Sequence, residues 1–172
     1  KLMAEFSESV GGLPANICAM TTVTGMDCLD RIDDLRKVKA SVRGLSIEPL
    51  WERIPPSELN LDGVDWLILG GESGSKMEYA RPFALEWVEE LQDHCRSNGV
   101  AFFLKQLGRR PTQGGVDLSL ADKQGGDWDE WPETVPRIRE FPQYFHEYRK
   151  NAEGGSGPRR KHKTKAKKEM IE

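Results

Sequence analysis

No apolar run in the 172 residues approaches the ~20 needed to cross a bilayer, so a membrane-spanning helix is excluded. The opening Lys1-Leu2-Met3-Ala4-Glu5 lacks the basic, apolar and small-residue order of a secretory leader, which makes the cytoplasm the expected compartment. Cysteine is scarce. Cys18, Cys28 and Cys95 are odd in number, far apart, and form no CxxC or CxxxC. They support neither a disulfide framework nor a metal or iron–sulfur site within this chain. Buried or half-buried free thiols are the expectation. The three histidines, His94, His146 and His162, have no carboxylate or nucleophile at a telling spacing, so a Ser-His-Asp or Cys-His site is not supported.

What is present fits one globular domain with a real core: 37% hydrophobic and 31% charged residues. The net charge of −3 conceals an asymmetry. From Gly154 onward seven Lys/Arg stand against Glu169 and Glu172, a tail of +5 that leaves −8 on residues 1–153. Two units follow: an α/β domain over 1–153 and a flexible basic tail over 154–172, entered through Gly154-Gly155-Ser156-Gly157-Pro158. Arg159, Arg160, Lys161, Lys163 and Lys165 are the candidate nucleic-acid contacts, through salt-sensitive phosphate attraction. A solubilising end is the alternative.

Ile17–Val23, Val42–Ile47, Val64–Leu69 and Val100–Leu104 read as strands, the third nearly continuous in apolar residues. Leu29, Ile32, Leu35 and Val38, then Leu85, Val88, Leu91 and Cys95, repeat at helical spacing. Thr24 with Asp27 resembles a capping box for the first helix, and Asn98-Gly99 ends the second. Pro49, Pro55 and Pro56 forbid a regular helix between the second and third strands. The order predicts a parallel α/β sheet. Pro111–Gly126 is expected as a surface loop. The aromatic-rich extension after it (Trp128, Trp131, Phe141, Tyr144, Phe145, Tyr148) either caps the core or stacks bases, with Pro142 opening a short helix.

Polar residues gather where strands end, the usual place for chemistry in parallel sheets. Alternation puts Gly44, Ser46 and Glu48 on one face and Leu45 and Ile47 on the other. The same parity sets Glu72 in line with Trp66, Ile68 and Gly70, and Lys105 with Ala101 and Phe103. On it, Lys105 and Gln106 cannot both point inward. An inward Glu48 and Lys105 should find each other or a ligand, because a lone buried charge is costly. A structural ion pair tying strands together is the competing reading. Gly70, Gly71, Ser73 and Gly74 could bring backbone amides to a ligand, although the loop matches no Walker A or dinucleotide fingerprint. Arg81 is within reach of it. Glu48, Glu72 and Lys105 are the candidate catalytic residues, and Ser46, Gly70, Gly71, Ser73, Gly74, Arg81 and Gln106 the candidate ligand contacts. A metal-independent hydrolase using Glu48 and Glu72 as acid and base is a third reading.

Four motifs carry a family likeness: Ser46-Ile47-Glu48-Pro49-Leu50, Leu61-Asp62-Gly63-Val64-Asp65-Trp66, Gly70-Gly71-Glu72-Ser73-Gly74, and Phe102-Phe103-Leu104-Lys105-Gln106-Leu107-Gly108. With them the chain resembles the C-terminal half of a phage and bacterial family of uncharacterised proteins with a radical-SAM-like domain. The resemblance implies a partial (half) TIM-type barrel and, in the whole protein, S-adenosylmethionine and a [4Fe–4S] cluster. It implies that Glu48 and Lys105 orient a substrate or the amino and carboxylate groups of S-adenosylmethionine. This chain departs from the family in having no three-cysteine motif, and in reading Thr22-Val23-Thr24-Gly25 where the family has Ser-Val-Glu-Asn. The expected cofactor complement within it is therefore none, and the expected partner is a missing N-terminal half or a second subunit that completes the sheet. With four strands alone, two open edges are expected, unless residues 1–16 and 109–150 close the sheet differently. The rival reading is a non-catalytic module that binds protein or nucleic acid by the sheet edge and tail.

Overall fold

The computed structural model describes residues 2–74, 76–145 and 147–148. Four parallel strands, β1 (Cys18–Thr22), β2 (Val42–Ile47), β3 (Trp66–Gly70) and β5 (Ala101–Gln106), lie side by side in chain order. Two helices cover one face of this open sheet: α2 (Asp30–Arg36) between β1 and β2, and α3 (Leu85–Ser97) ahead of β5. Alternation explains which face they take. Leu45, Ile47, Leu67, Leu69, Phe102 and Leu104 are all buried and join Ile32, Leu35, Val88, Leu91 and Cys95 in one core. The connection from β2 to β3 has no helix, as its prolines require. It buries Leu50, Ile54, Leu59, Leu61 and Val64 into the same core instead.

Several local expectations need correcting. Thr24 does not build a capping box. Gly25 precedes a 3-10 turn at Met26–Cys28 without a side-chain cap, and the Thr24 hydroxyl lies 3.7 Å from Cys28 Sγ. The stretch Pro111–Gly126 is not a plain loop. β6 (Pro111–Gln113) and β7 (Val116–Asp117) form a hairpin that pairs with β4 (Phe83–Ala84) in a second small sheet. An N-terminal helix, α1 (Leu2–Ser9), docks through Ser7, whose hydroxyl accepts the Lys39 amide at 3.0 Å.

The sheet has one strand margin without a strand neighbour among the described residues, at β1, rather than two. Residues 138–140 run antiparallel along β5: the Leu104 amide donates to Ile138 O at 2.9 Å and the Glu140 amide to Phe102 O at 3.0 Å. The aromatic segment then folds over the inner face. Phe141 lies 5.4 Å from Trp66 and 5.5 Å from Phe103, and the Trp66 indole N–H donates to Glu140 O. Aromatics on this segment therefore cap the sheet. Pro142 opens a helical turn at 143–145, with its carbonyl accepting the Phe145 amide. The basic tail, including Arg159, Arg160, Lys161, Lys163 and Lys165, lies outside the described residues.

Candidate functional site at the strand ends

The face away from the helices carries Ser46 and Glu48 from the end of β2, as parity predicts. The Ser46 hydroxyl donates to Glu48 Oε1 at 3.2 Å. Lys105 Nζ stands 2.8 Å from Glu48 Oε2, tying the end of β5 to that of β2. The Lys105 ammonium is the partner found for this buried oxygen among the described residues. The partners are unequal: the Glu48 side chain is 14% exposed and that of Lys105 54%. A mostly buried carboxylate thus meets an amine open to the cleft.

Gly70 makes room for this bridge across β3. A Cβ there would lie 3.4 Å from both Glu48 Oε2 and Gln106 Cγ. Gln106 is inward as well, contrary to simple alternation. The β3–β5 register pairs Leu69 with Leu104 but Gly70 with Gln106, so one extra residue is accommodated at Lys105. Such a bulge resets the side-chain phase, and both Lys105 and Gln106 line the cleft. The Gln106 amide donates to Gly71 O at 3.3 Å.

The cleft has a volume of about 280 Å³ and is walled by Glu48, Pro49, Gly71, Glu72, Ser73, Lys105 and Gln106. Glu72 is clamped: Arg81 Nη1 reaches its two oxygens at 3.2 and 3.1 Å, and the Arg81 amide donates to Oε2 at 3.0 Å. The Arg81 guanidinium also lies 4.4 Å from the Trp51 ring centroid. Gly71 has another task than cradling a ligand. Its amide donates to Gln106 O, and a Cβ would run into the Leu107 carbonyl. Gly108 (φ +77°) faces Gly71 and Glu72, and Gly125 (φ +63°) faces Gly108. Three loops therefore meet backbone to backbone under the site. Gly74 stands apart from the cleft lining.

Alternation along β2 and β5 brought Glu48 and Lys105 to one face, but the bulge that turns Gln106 inward leaves no mark in the sequence. Trp51, Lys76, Arg109 and Arg110 carry little sequence signal. Their only signal was basic and aromatic residues beside loops that follow strands.

A family model described as a protein of unknown function, DUF5131, matches residues 1–169. The chain belongs to this family. No curated protein and no solved structure matches it. In this DUF5131 chain the cysteines do not fit a cluster. Cys18 lies on β1, Cys28 in the 3-10 turn and Cys95 on α3, and the described residues contain no metal-holding group of His, Cys, Asp or Glu. Burial, then the Asp65 charge, pushes the Cys18 thiol up to about 11, and burial, then Glu140, pushes Cys95 up to about 12. Neither is the ready thiolate that iron requires. His94 is a packing residue, its Nε2 2.7 Å from Leu59 O. Among the described residues no helix is long and apolar enough to cross a membrane.

Proposed function

We propose that this chain forms the ligand-holding rim of a partial (β/α) barrel in a radical-SAM-like protein of phage or mobile-element type. Its ligand is the amino-acid end of S-adenosylmethionine. The observation that carries the reading is the 2.8 Å Glu48–Lys105 pair, which joins a mostly buried carboxylate at the end of β2 to an open amine at the end of β5 across β3. Glu48 receives an ammonium group there, and the open Lys105 amine meets a carboxylate. Gln106 and Ser73 line the same cleft and orient the ligand; Glu72 positions Arg81. In such a protein the hard chemistry belongs to S-adenosylmethionine and a [4Fe–4S] cluster. This chain's cysteines do not fit the cluster, so its own residues bind and orient. Further strands join on the β1 side, from a preceding half or another subunit.

Titration calorimetry tests this with S-adenosylmethionine, S-adenosylhomocysteine and adenosine. The first two should bind at least tenfold tighter than adenosine, and Glu48→Gln and Lys105→Ala should each remove at least tenfold. Adenosine binding as well as the others, or both variants binding like the parent, would defeat the proposal. A non-catalytic binding module gains support from the margin of β1, which no strand pairs among the described residues. It would be preferred if the charge variants altered stability alone.

A further inference from the structure

Two features of the mouth are unused by the amino-acid cleft. The first is Trp51, which is 42% exposed although it directly follows the buried Leu50. Its amide donates to Thr24 O at 2.9 Å, which holds its backbone over the ends of β1 and β2. Arg81 covers the ring at 4.4 Å and is itself fixed by Glu72. An indole and a guanidinium, both held and both partly open to water, make a ready-formed stacking surface for a planar ring.

The second is a hollow of about 710 Å³ lined by Lys76, Met77, Glu78, Arg109, Arg110 and Asp117. Its cations are unequal. Arg110 is paired with Asp117 at 2.9 Å, and Lys76 stands a loose 3.6 Å from Glu78. Arg109 has no carboxylate partner among the described residues. One terminal nitrogen donates to Leu120 O at 3.2 Å, and its buried Nε has no hydrogen-bond partner. A guanidinium with no carboxylate partner among the described residues and a buried, unused Nε donor can take an anion through its free N–H groups. Glu72 joins the two features: its carboxylate holds Arg81, and its carbonyl accepts the Arg109 amide at 2.7 Å.

We propose that the mouth binds a nucleotide, free or within a single strand, with its base against Trp51–Arg81 and its phosphate in the Arg109 hollow. Stacking accepts any base, and the cation takes the phosphate. The proposal rests on the mouth being a ligand site, not on S-adenosylmethionine being the ligand of the cleft. The test is anisotropy of the full chain with fluorescein-labelled octathymidylate, competed by thymidine monophosphate, thymidine, inorganic phosphate and hexaglutamate. Thymidine monophosphate should compete at least tenfold better than the other three. Trp51→Ala should weaken octathymidylate binding at least tenfold with unchanged circular dichroism, and Trp51→Phe should restore most of it. Arg109→Gln should weaken it and lower the salt slope by about one. Octathymidylate at least tenfold tighter than the mononucleotide identifies a strand as the source, and near-equal affinity a free nucleotide. Hexaglutamate competing equally, or Trp51→Ala binding like the parent, overturns the proposal. So does loss of all binding on changing Arg159, Arg160 and Lys161 to Gln, which would assign it to the tail. These arms use no S-adenosylmethionine and stay readable if it fails to bind.

Discussion

Asp122 accepts backbone amides from Gln124 (3.0 Å), Gly126 (2.6 Å) and Asp127 (3.1 Å), and these bonds hold its carboxyl below the ordinary aspartate range. A depressed carboxyl stabilises the fold above its unfolded-state value and loses that contribution as pH falls through the folded one. Asp122→Asn should therefore lower the melting temperature at pH 7, and the gap from the parent should close on acidification. A constant gap from pH 7 down to pH 2 would contradict this. The paired glycines make a second contrast. Ala at Gly70 meets Glu48 and Gln106 at ordinary contact distance, so Gly70→Ala should fold almost normally while crowding the cleft floor. Gly71→Ala drives a methyl into the Leu107 backbone and should cost about 3 kcal/mol in urea unfolding, near the top of the overpacking range. Equal stability of the two variants would refute this account of the loop junction. Neither contrast was legible in the sequence, where Gly70 and Gly71 are the same residue in one run.

At the level of elements, the sequence was most readable where a single period governs. The stripe Leu85, Val88, Leu91, Cys95 is wholly buried along α3, and β2 spans Val42–Ile47 as its pattern indicates. Leu91→Ala should accordingly destabilise by about 3 kcal/mol, the ordinary cost of a truncated core leucine. Reading failed where pairing between distant segments decides. The β6–β7 hairpin is only three and two residues long. The run along β5 depends on Ile138 and Glu140 meeting Leu104 and Phe102, which no local spacing announces. Glu140 also accepts the Phe102 amide through its side chain at 3.0 Å. Glu140→Ala should then speed hydrogen exchange at Phe102 more than at Leu67 in the centre of the sheet. Uniform exchange at both would mean the run contributes nothing to that margin.

For the whole molecule, composition gave the class and alternation gave the face of Glu48 and Lys105, but neither gave closure. A sheet in strict chain order leaves two ways to grow, and here residues 138–140 occupy one of them. Iron–sulfur reconstitution of this chain alone should yield no cluster absorbance, since its three thiols sit on separate elements. A bound cluster would overturn that reading of the cysteines.

The occupied margin of β5 would also give any added strand a direction. Among the described residues, the four-stranded sheet leaves its flank at β1 open and has the other taken by 138–140. A ring that seals on itself would first have to evict the 138–140 run, whereas a crescent needs no such eviction.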